Sequence, residues 1–150
     1  MPEFIQNNQV KARLVVFEDE VASAQQAAEE LGVVVSQIVK SLVAVDETSE
    51  PFLLLLCGDA LVDWQKASAV CKVKSLQLAT PKQVLEHTGY DVGGVPPISL
   101  FEMKTVCDTA VMAQKMIFAG GGDPFTVMEI APAEIQSFVD DFTVADIAVR

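Results

Sequence analysis

Gln37-Ile38-Val39-Lys40-Ser41-Leu42-Val43-Ala44-Val45 is followed by Asp46-Glu47-Thr48-Ser49-Glu50-Pro51 and then by Phe52-Leu53-Leu54-Leu55-Leu56-Cys57. The first segment is rich in residues that fill a pleated surface and predicts a strand with Lys40 in its middle. The second is a turn, because Pro51 cannot continue a central strand. The third is apolar without interruption, which predicts a strand buried on both faces, ending at Gly58-Asp59. A sheet with apolar residues on either side is therefore the frame of the chain.

The flanking segments supply further strands and short helices. From Gln9 to Phe17, Val10, Ala12, Leu14 and Val16 alternate with Lys11 and Arg13, the period of a strand. Glu20 to Leu31 is rich in Ala, Gln and Glu, with Val21, Ala24, Ala28 and Leu31 on one side, and predicts a helix stopped by Gly32. A short helix is expected over Asp63 to Val70 and a short strand over Leu76 to Ala79. Thr80 caps a helix that opens on Pro81, runs to His87 and stops at Gly89. Met116 to Ala119 and Thr126 to Ile130 read as strands, and Pro132 opens a helix to Val139 with Glu134 in its first turn. The apolar tail from Phe142 to Arg150 is expected to dock.

These elements succeed one another without a βαβ rhythm, an internal repeat or a Gly-, Ser- or Pro-rich linker. The expectation is one α+β domain over residues 1–150, built on a strongly curved, barrel-like mixed sheet with flanking helices. A chain of 150 residues, 51% hydrophobic and 21% charged, is long enough to bury a core of its own. The net charge of −11 argues against broad attachment to a nucleic-acid backbone, DNA included, although gripping one short end touches few phosphates. The longest apolar run, Phe52 to Cys57, is too short to span a bilayer. Met1-Pro2-Glu3-Phe4 has neither a basic nor an apolar leader region. Cys57, Cys71 and Cys107 are odd in number and lack CxxC spacing, as reduced thiols would be. A cytoplasmic protein is expected.

Several chemistries are absent from the pattern. His87 is the single histidine, late in a helix and read as a surface residue, which argues against a His-based triad or a clustered metal site. There is no GxGxxG after a strand, no phosphate-binding P-loop and no HExxH. Neither a metal nor a cofactor is expected. Three features remain: Lys40 within its strand, Asp91-Val92-Gly93-Gly94-Val95-Pro96-Pro97-Ile98, and Gly120-Gly121-Gly122. Adjacent glycines let a backbone approach a ligand, and adjacent prolines stiffen the segment beyond them. Lys40 reads either as a polar member of a half-exposed strand or as an ammonium poised at a phosphate or carbonyl. The glycine segments read either as turns or as the border of one pocket.

In order along the chain, Leu31-Gly32-Val33, Gln37 to Leu42, Leu54 to Asp59 with Val62-Asp63, and Ala79 to Val84 with Thr88-Gly89-Tyr90 resemble one family. So do Gly93 and Pro97 as a GxxxP element, Gly120 to Gly122, and Glu129-Ile130-Ala131-Pro132. The family is the YbaK/ProX-like trans-editing aminoacyl-tRNA deacylases, relatives of the editing domain of bacterial prolyl-tRNA synthetase. The resemblance implies hydrolysis of the ester joining a wrong amino acid to the terminal adenosine of a tRNA. Its substrate would be tRNA-Pro carrying a small residue such as Ala, Cys or Ser. It places Lys40 at the aminoacylated tRNA 3′ end or its ester. Gly93, Pro96 and Pro97 fall on the loop that positions the terminal adenosine, with Gly94 and Val95 N–H groups expected to polarise the ester. Gly120, Gly121 and Gly122 fall on the turn lining the amino-acid pocket. Many members carry Ser where this chain has Pro96, so a hydroxyl and a backbone donor are both missing there. Prolyl-tRNA synthetase is the partner implied. An aminoacyl ester is already activated, so a positioned water, main-chain donors and one cation can suffice.

Two other readings predict different behaviour. A non-catalytic binding module for an aminoacylated 3′ end or an amino-acid-like ligand keeps the loops and shows no turnover. A small-molecule enzyme using Cys57 or Cys107 is sensitive to thiol reagents.

Overall fold

The computed structural model describes residues 1–21, 23–100 and 102–150. In chain order its elements begin with α1 (Pro2–Asn7), β1 (Ala12–Val16), α2 (Ala24–Leu31), β2 (Val39–Asp46) and β3 (Pro51–Cys57). Next come α3 (Trp64–Cys71), β4 (Leu76–Leu78), α4 (Pro81–Thr88), β5 (Lys104–Asp108) and α5 (Thr109–Met112). The chain closes with β6 (Ile117–Gly120), β7 (Thr126–Ile130), α6 (Pro132–Phe138) and β8 (Phe142–Ala145).

The β2–β3 hairpin is the centre of a five-stranded mixed sheet in the order β4-β2-β3-β5-β8, with β5 and β8 parallel to their neighbours. Pro51 is the first residue of β3, where a missing N–H is tolerated. Leu53, Leu54, Leu55 and Leu56 are all 0% exposed, as a doubly covered strand requires. Alternation sends Leu53, Leu55 and Cys57 into a core shared with Val39, Val43, Val95 and Ala119. It sends Phe52, Leu54 and Leu56 into a second core with Ala44, Ala67 and Ile147 on the α3 side.

A three-stranded antiparallel sheet, β1-β7-β6, lies beside it. One parallel bridge, Ile38 to Phe118, joins the two sheets. The expected α+β domain with a mixed sheet is thus observed. The sheet is not a closed barrel, because β2 and β6 form no ladder and the bridge joining the two sheets is at Ile38, just before β2.

Local chemistry explains the helix ends. Ser23 caps α2 through Gln26 N–H, so the helix starts at Ala24, later than the expected Glu20; Ala22 lies outside the described residues. Asp63 caps α3 through the N–H groups of Gln65 and Lys66. Thr80 and Gln83 form a reciprocal capping box at α4. The alternation in β1 runs unbroken against β7, with Ala12 and Leu14 on the main core and Val15, on the opposite face, in the cluster with α2, while Val16 at the strand end is exposed.

The C-terminal tail docks, as expected, and does so as a strand followed by a clasp. Asp108, 0% exposed at the end of β5, accepts from Ile147 N–H at 3.0 Å and from Arg150 Nη2 at 2.7 Å. Among the described residues no helix is long and apolar enough to cross a membrane.

Candidate functional site

Where β2 and β6 diverge, a cleft of about 340 Å³ opens. Its walls come from β2 (Val39 to Val43), the end of β6 (Phe118 to Gly120), the start of α2 and α4, and the loop at Val92, Gly93 and Val95. The lining is mostly apolar. Among the described residues it contains no carboxylate, and its polar side chains are Ser23, Lys40, Ser41 and Thr126.

The two glycine segments, far apart in sequence, are in direct contact. A Cβ at Gly120 would lie 2.2 Å from the Val95 carbonyl oxygen and 3.2 Å from the Gly94 carbonyl carbon. Gly122 N–H donates to the Gly94 carbonyl at 2.9 Å. A Cβ at Gly94 would lie 3.1 Å from the backbone of Asp123. Asp123 in turn fixes the glycine turn, accepting from Phe125 N–H at 2.8 Å and from the Thr126 hydroxyl at 2.9 Å. Gly93 takes φ +90°, which lets the chain reverse before it dives beneath Asp123.

The expected site residues do not all occupy the same place. Lys40, Gly93, Val95 and Gly120 line the cleft. Gly94 and Gly121 are buried in support of it, and Gly121 is pressed against Thr126. Gly122 sits beside Met1 and Tyr90. Pro96 and Pro97 are both buried, and Pro97 lines a second cavity of about 320 Å³ between the loop and α6. Of the two main-chain donors expected to be open, Gly94 N–H is not: it donates to the Asp91 carbonyl at 3.0 Å. Val95 N–H donates to no described residue.

Lys40 is opposite Leu56 and shares the alternation of Leu42 and Ala44. Lys40 is among the residues bordering the cleft, but its ammonium is turned onto the carbonyl of Ala60, in the loop after β3, on the sheet face opposite Val95 and Ala119. Burial pushes the Lys40 ammonium below its ordinary value of 10.5, and the nearby Asp59 carboxylate works against that fall. Ser41 has the opposite parity and shares the face of Val39, Val43 and Val95. Sequence reasoning passed over Ser41. The alternation that places Lys40 on one face places its neighbour on the other, and that signal was present in the sequence.

The cysteines are not poised for nucleophilic work. Burial raises the thiols of Cys57 and Cys71, and pushes that of Cys107 up to about 12. His87 is exposed on α4, as expected.

A family model described as an aminoacyl-tRNA editing domain matches residues 18–138. The chain belongs to that family. The editing domain is 33% identical over 123 residues to the uncharacterized protein YwhH of Bacillus subtilis (strain 168), which covers 81% of this chain and 78% of that one. It is 30% identical over 111 residues to the proline–tRNA ligase of Thermosipho melanesiensis, covering 74% of this chain and 20% of the ligase. The chain therefore spans about a fifth of the length of that ligase.

Among solved structures, hypothetical protein APE2540 superposes with a TM-score of 0.91 at 29% identity, covering 99% of this chain and 98% of its own. A crystal structure of "a putative trans-editing enzyme for prolyl tRNA synthetase" superposes with a TM-score of 0.87 at 29% identity, covering 99% and 95%. The family and fold implied by the sequence resemblance are those observed.

Proposed function

We propose that this editing domain hydrolyses the ester of a mischarged aminoacyl-tRNA, acting in trans on tRNA-Pro that carries a small residue such as Ala, Cys or Ser. The observation that carries this reading is the contact of Gly120 with the Val95 carbonyl, which makes one rigid wall out of two distant loops. That wall lines a mostly apolar cleft of about 340 Å³, suited to a small side chain and part of a ribose.

The chemistry needs little from side chains. Val95 N–H, without a partner among the described residues, is the main-chain donor for the developing oxyanion, and Gly94 serves by holding the loop through Asp91 and Gly122. Lys40, on the cleft rim, holds the 3′ end by exchanging the Ala60 carbonyl for a phosphate or ribose oxygen. Gly93, Pro96 and Pro97 set the loop, and Gly121 and Gly122 set the opposing turn. Water attacks the ester carbonyl, the bond from the acyl carbon to the ribose oxygen breaks, and that oxygen leaves with the water's proton as a ribose hydroxyl. With few phosphates engaged, the net charge of −11 suits a protein that borrows tRNA affinity from prolyl-tRNA synthetase.

The test is a panel of Ala-, Cys-, Ser- and Pro-charged tRNA-Pro incubated with wild type and Lys40→Ala. Rapid ester loss from one or more of the small-residue species, falling about a hundredfold in the variant, is expected. Binding of the charged 3′ end with no ester loss from any species establishes the binding-module reading instead.

A further inference from the structure

The edge of β2 that borders the cleft has no strand ladder around Ser41. Asp46 N–H donates to Glu50 C=O and Gly58 N–H to Ile38 C=O, so the even-numbered residues of β2 direct their main-chain groups to β3. The odd-numbered residues direct theirs to the other edge. There Val45 is taken up by β4, Val43 C=O accepts from Ala79 N–H, and Ile38 bridges to Phe118. Between these contacts no ladder among the described residues takes up Ser41, whose N–H and C=O are directed to the edge that borders the cleft.

The side chain of Ser41 is equally uncommitted. Its Oγ is shielded from solvent and has no hydrogen-bond partner. The other polar side chains of the lining are engaged: Ser23 in its helix cap, Thr126 with Asp123, and Lys40 with Ala60. A buried hydroxyl without a partner is uncommon in folded proteins and calls for an explanation. Ser41 as a whole is half-buried, so rotation about χ1 brings Oγ into the cleft with no existing bond to break.

An aminoacyl ester carries one group that needs acceptors, its α-ammonium. With no carboxylate among the described lining residues, an ammonium in the cleft must be met by carbonyl and hydroxyl oxygens, and residue 41 offers one of each on the same strand edge, its hydroxyl without a partner. We propose that Ser41, at the open edge of β2, holds the α-ammonium of the aminoacyl group and makes the site selective for a free α-amino acid. This rests on the aminoacyl-ester reading of the cleft.

The experiment compares two stable ligands, 3′-deoxy-3′-(alanylamino)adenosine and its propionylamino counterpart, which lacks only the amino group. Dissociation constants are measured by titration for wild type and Ser41→Ala, with thermal unfolding of both proteins. Wild type is expected to prefer the alanyl ligand, and the variant to lose about tenfold of that preference, the scale of a hydrogen bond to a charged group. Its unfolding temperature should be unchanged or higher, because the hydroxyl removed has no partner in the free protein. Equal binding of the two ligands by wild type, no binding of either, or an unchanged preference in Ser41→Ala overturns the proposal. A protein that shows the preference yet leaves every charged tRNA intact refutes the deacylase reading and leaves the ammonium subsite standing.

Discussion

The α-carbon of Gly120 packs so closely on Val95 that a Cβ there would lie 2.2 Å from the Val95 carbonyl oxygen. The obstacle is backbone, which cannot swing aside as a side-chain end can. Gly120→Ala should therefore push the two loops apart. Overpacking of this kind costs about 1–3 kcal/mol of stability. A displacement of about 1 Å at a reacting centre costs about a hundredfold in rate. Urea unfolding together with deacylation of charged tRNA checks both figures, and wild-type values in both would refute the contact.

Gly93 is constrained for a different reason, and substitutions there should show it. No atom lies within 4 Å of a Cβ at Gly93, but φ is +90°. Space is available and the backbone conformation is the whole obstacle. Gly93→Ala should cost about 1–2 kcal/mol, Gly93→Asn less, and Gly93→Val more, in line with their tolerance of positive φ. An order that instead tracked side-chain volume, with Asn and Val alike, would show that steric contact governs.

How much of this was legible in the sequence can be judged element by element. The doubly buried Leu53 to Leu56, the short helix beginning at Asp63, the cap at Thr80 and the stops at Gly32 and Gly89 are local signals, and each appeared at or near its expected place. The strand Lys104–Asp108 was not legible. It is flanked on both sides in the sheet, yet Asp108 is a charged residue whose burial makes sense only once Ile147 and Arg150 arrive from the far end of the chain, and buried Thr105 pairs through its N–H with Asp141 of the same far segment. The helix Pro2–Asn7 buries no residue and so leaves no periodic mark. At the site, glycine pairs announced close approach but not the group approached. That partner is a long-range fact of topology, as is the open edge at Ser41.

The clasp at Asp108 gives a stability prediction independent of the cleft. Asp108→Ala removes the acceptor of both Ile147 N–H and Ala110 N–H, and Ile147 is 0% exposed. A buried donor left unpaired costs about 1–3 kcal/mol. Arg150→Ala should cost less, because the arginine side chain is 41% exposed and water enters when it goes. Chemical denaturation should rank Asp108→Ala as the more damaging, with ligand binding at the cleft unchanged in both. The reverse rank would mean that the guanidinium, not the carboxylate, organises the tail.

The thiols separate an ester hydrolase built on backbone from an enzyme built on cysteine. Burial raises all three, and Cys107 stands at about 12, so little thiolate exists near neutral pH. Iodoacetamide should modify the native protein slowly and the unfolded protein fast, with Cys71, the least buried, reacting first. Deacylation should survive a treatment that alkylates Cys71 alone. Rapid inactivation coupled to modification of Cys57 or Cys107 would return the cysteine mechanism to contention.

Lys40 ties the electrostatics of the site to pH. Burial lowers its pKa from 10.5, and Asp59 opposes that shift by attraction. The native state therefore binds fewer protons at Lys40 than the unfolded chain does between the lowered value and 10.5. Below that window the full penalty for burying the ammonium is present. Through the window it fades, so this lysine makes stability rise with pH, and above the window its contribution is gone. Asp59→Asn removes the opposing attraction and should lower the Lys40 pKa further. NMR titration of the Lys40 side chain, with and without Asp59→Asn, measures both shifts. A pKa at or above 10.5 in the wild type, or an upward move in the variant, would show that burial does not govern this ammonium. If the ammonium leaves Ala60 for a phosphate oxygen, a ligand that carries a phosphate should make the same resonance titrate higher than in the free protein, because an anionic partner favours the charged form. A 5′-phosphorylated adenosine ligand should produce that rise, and the unphosphorylated one should not.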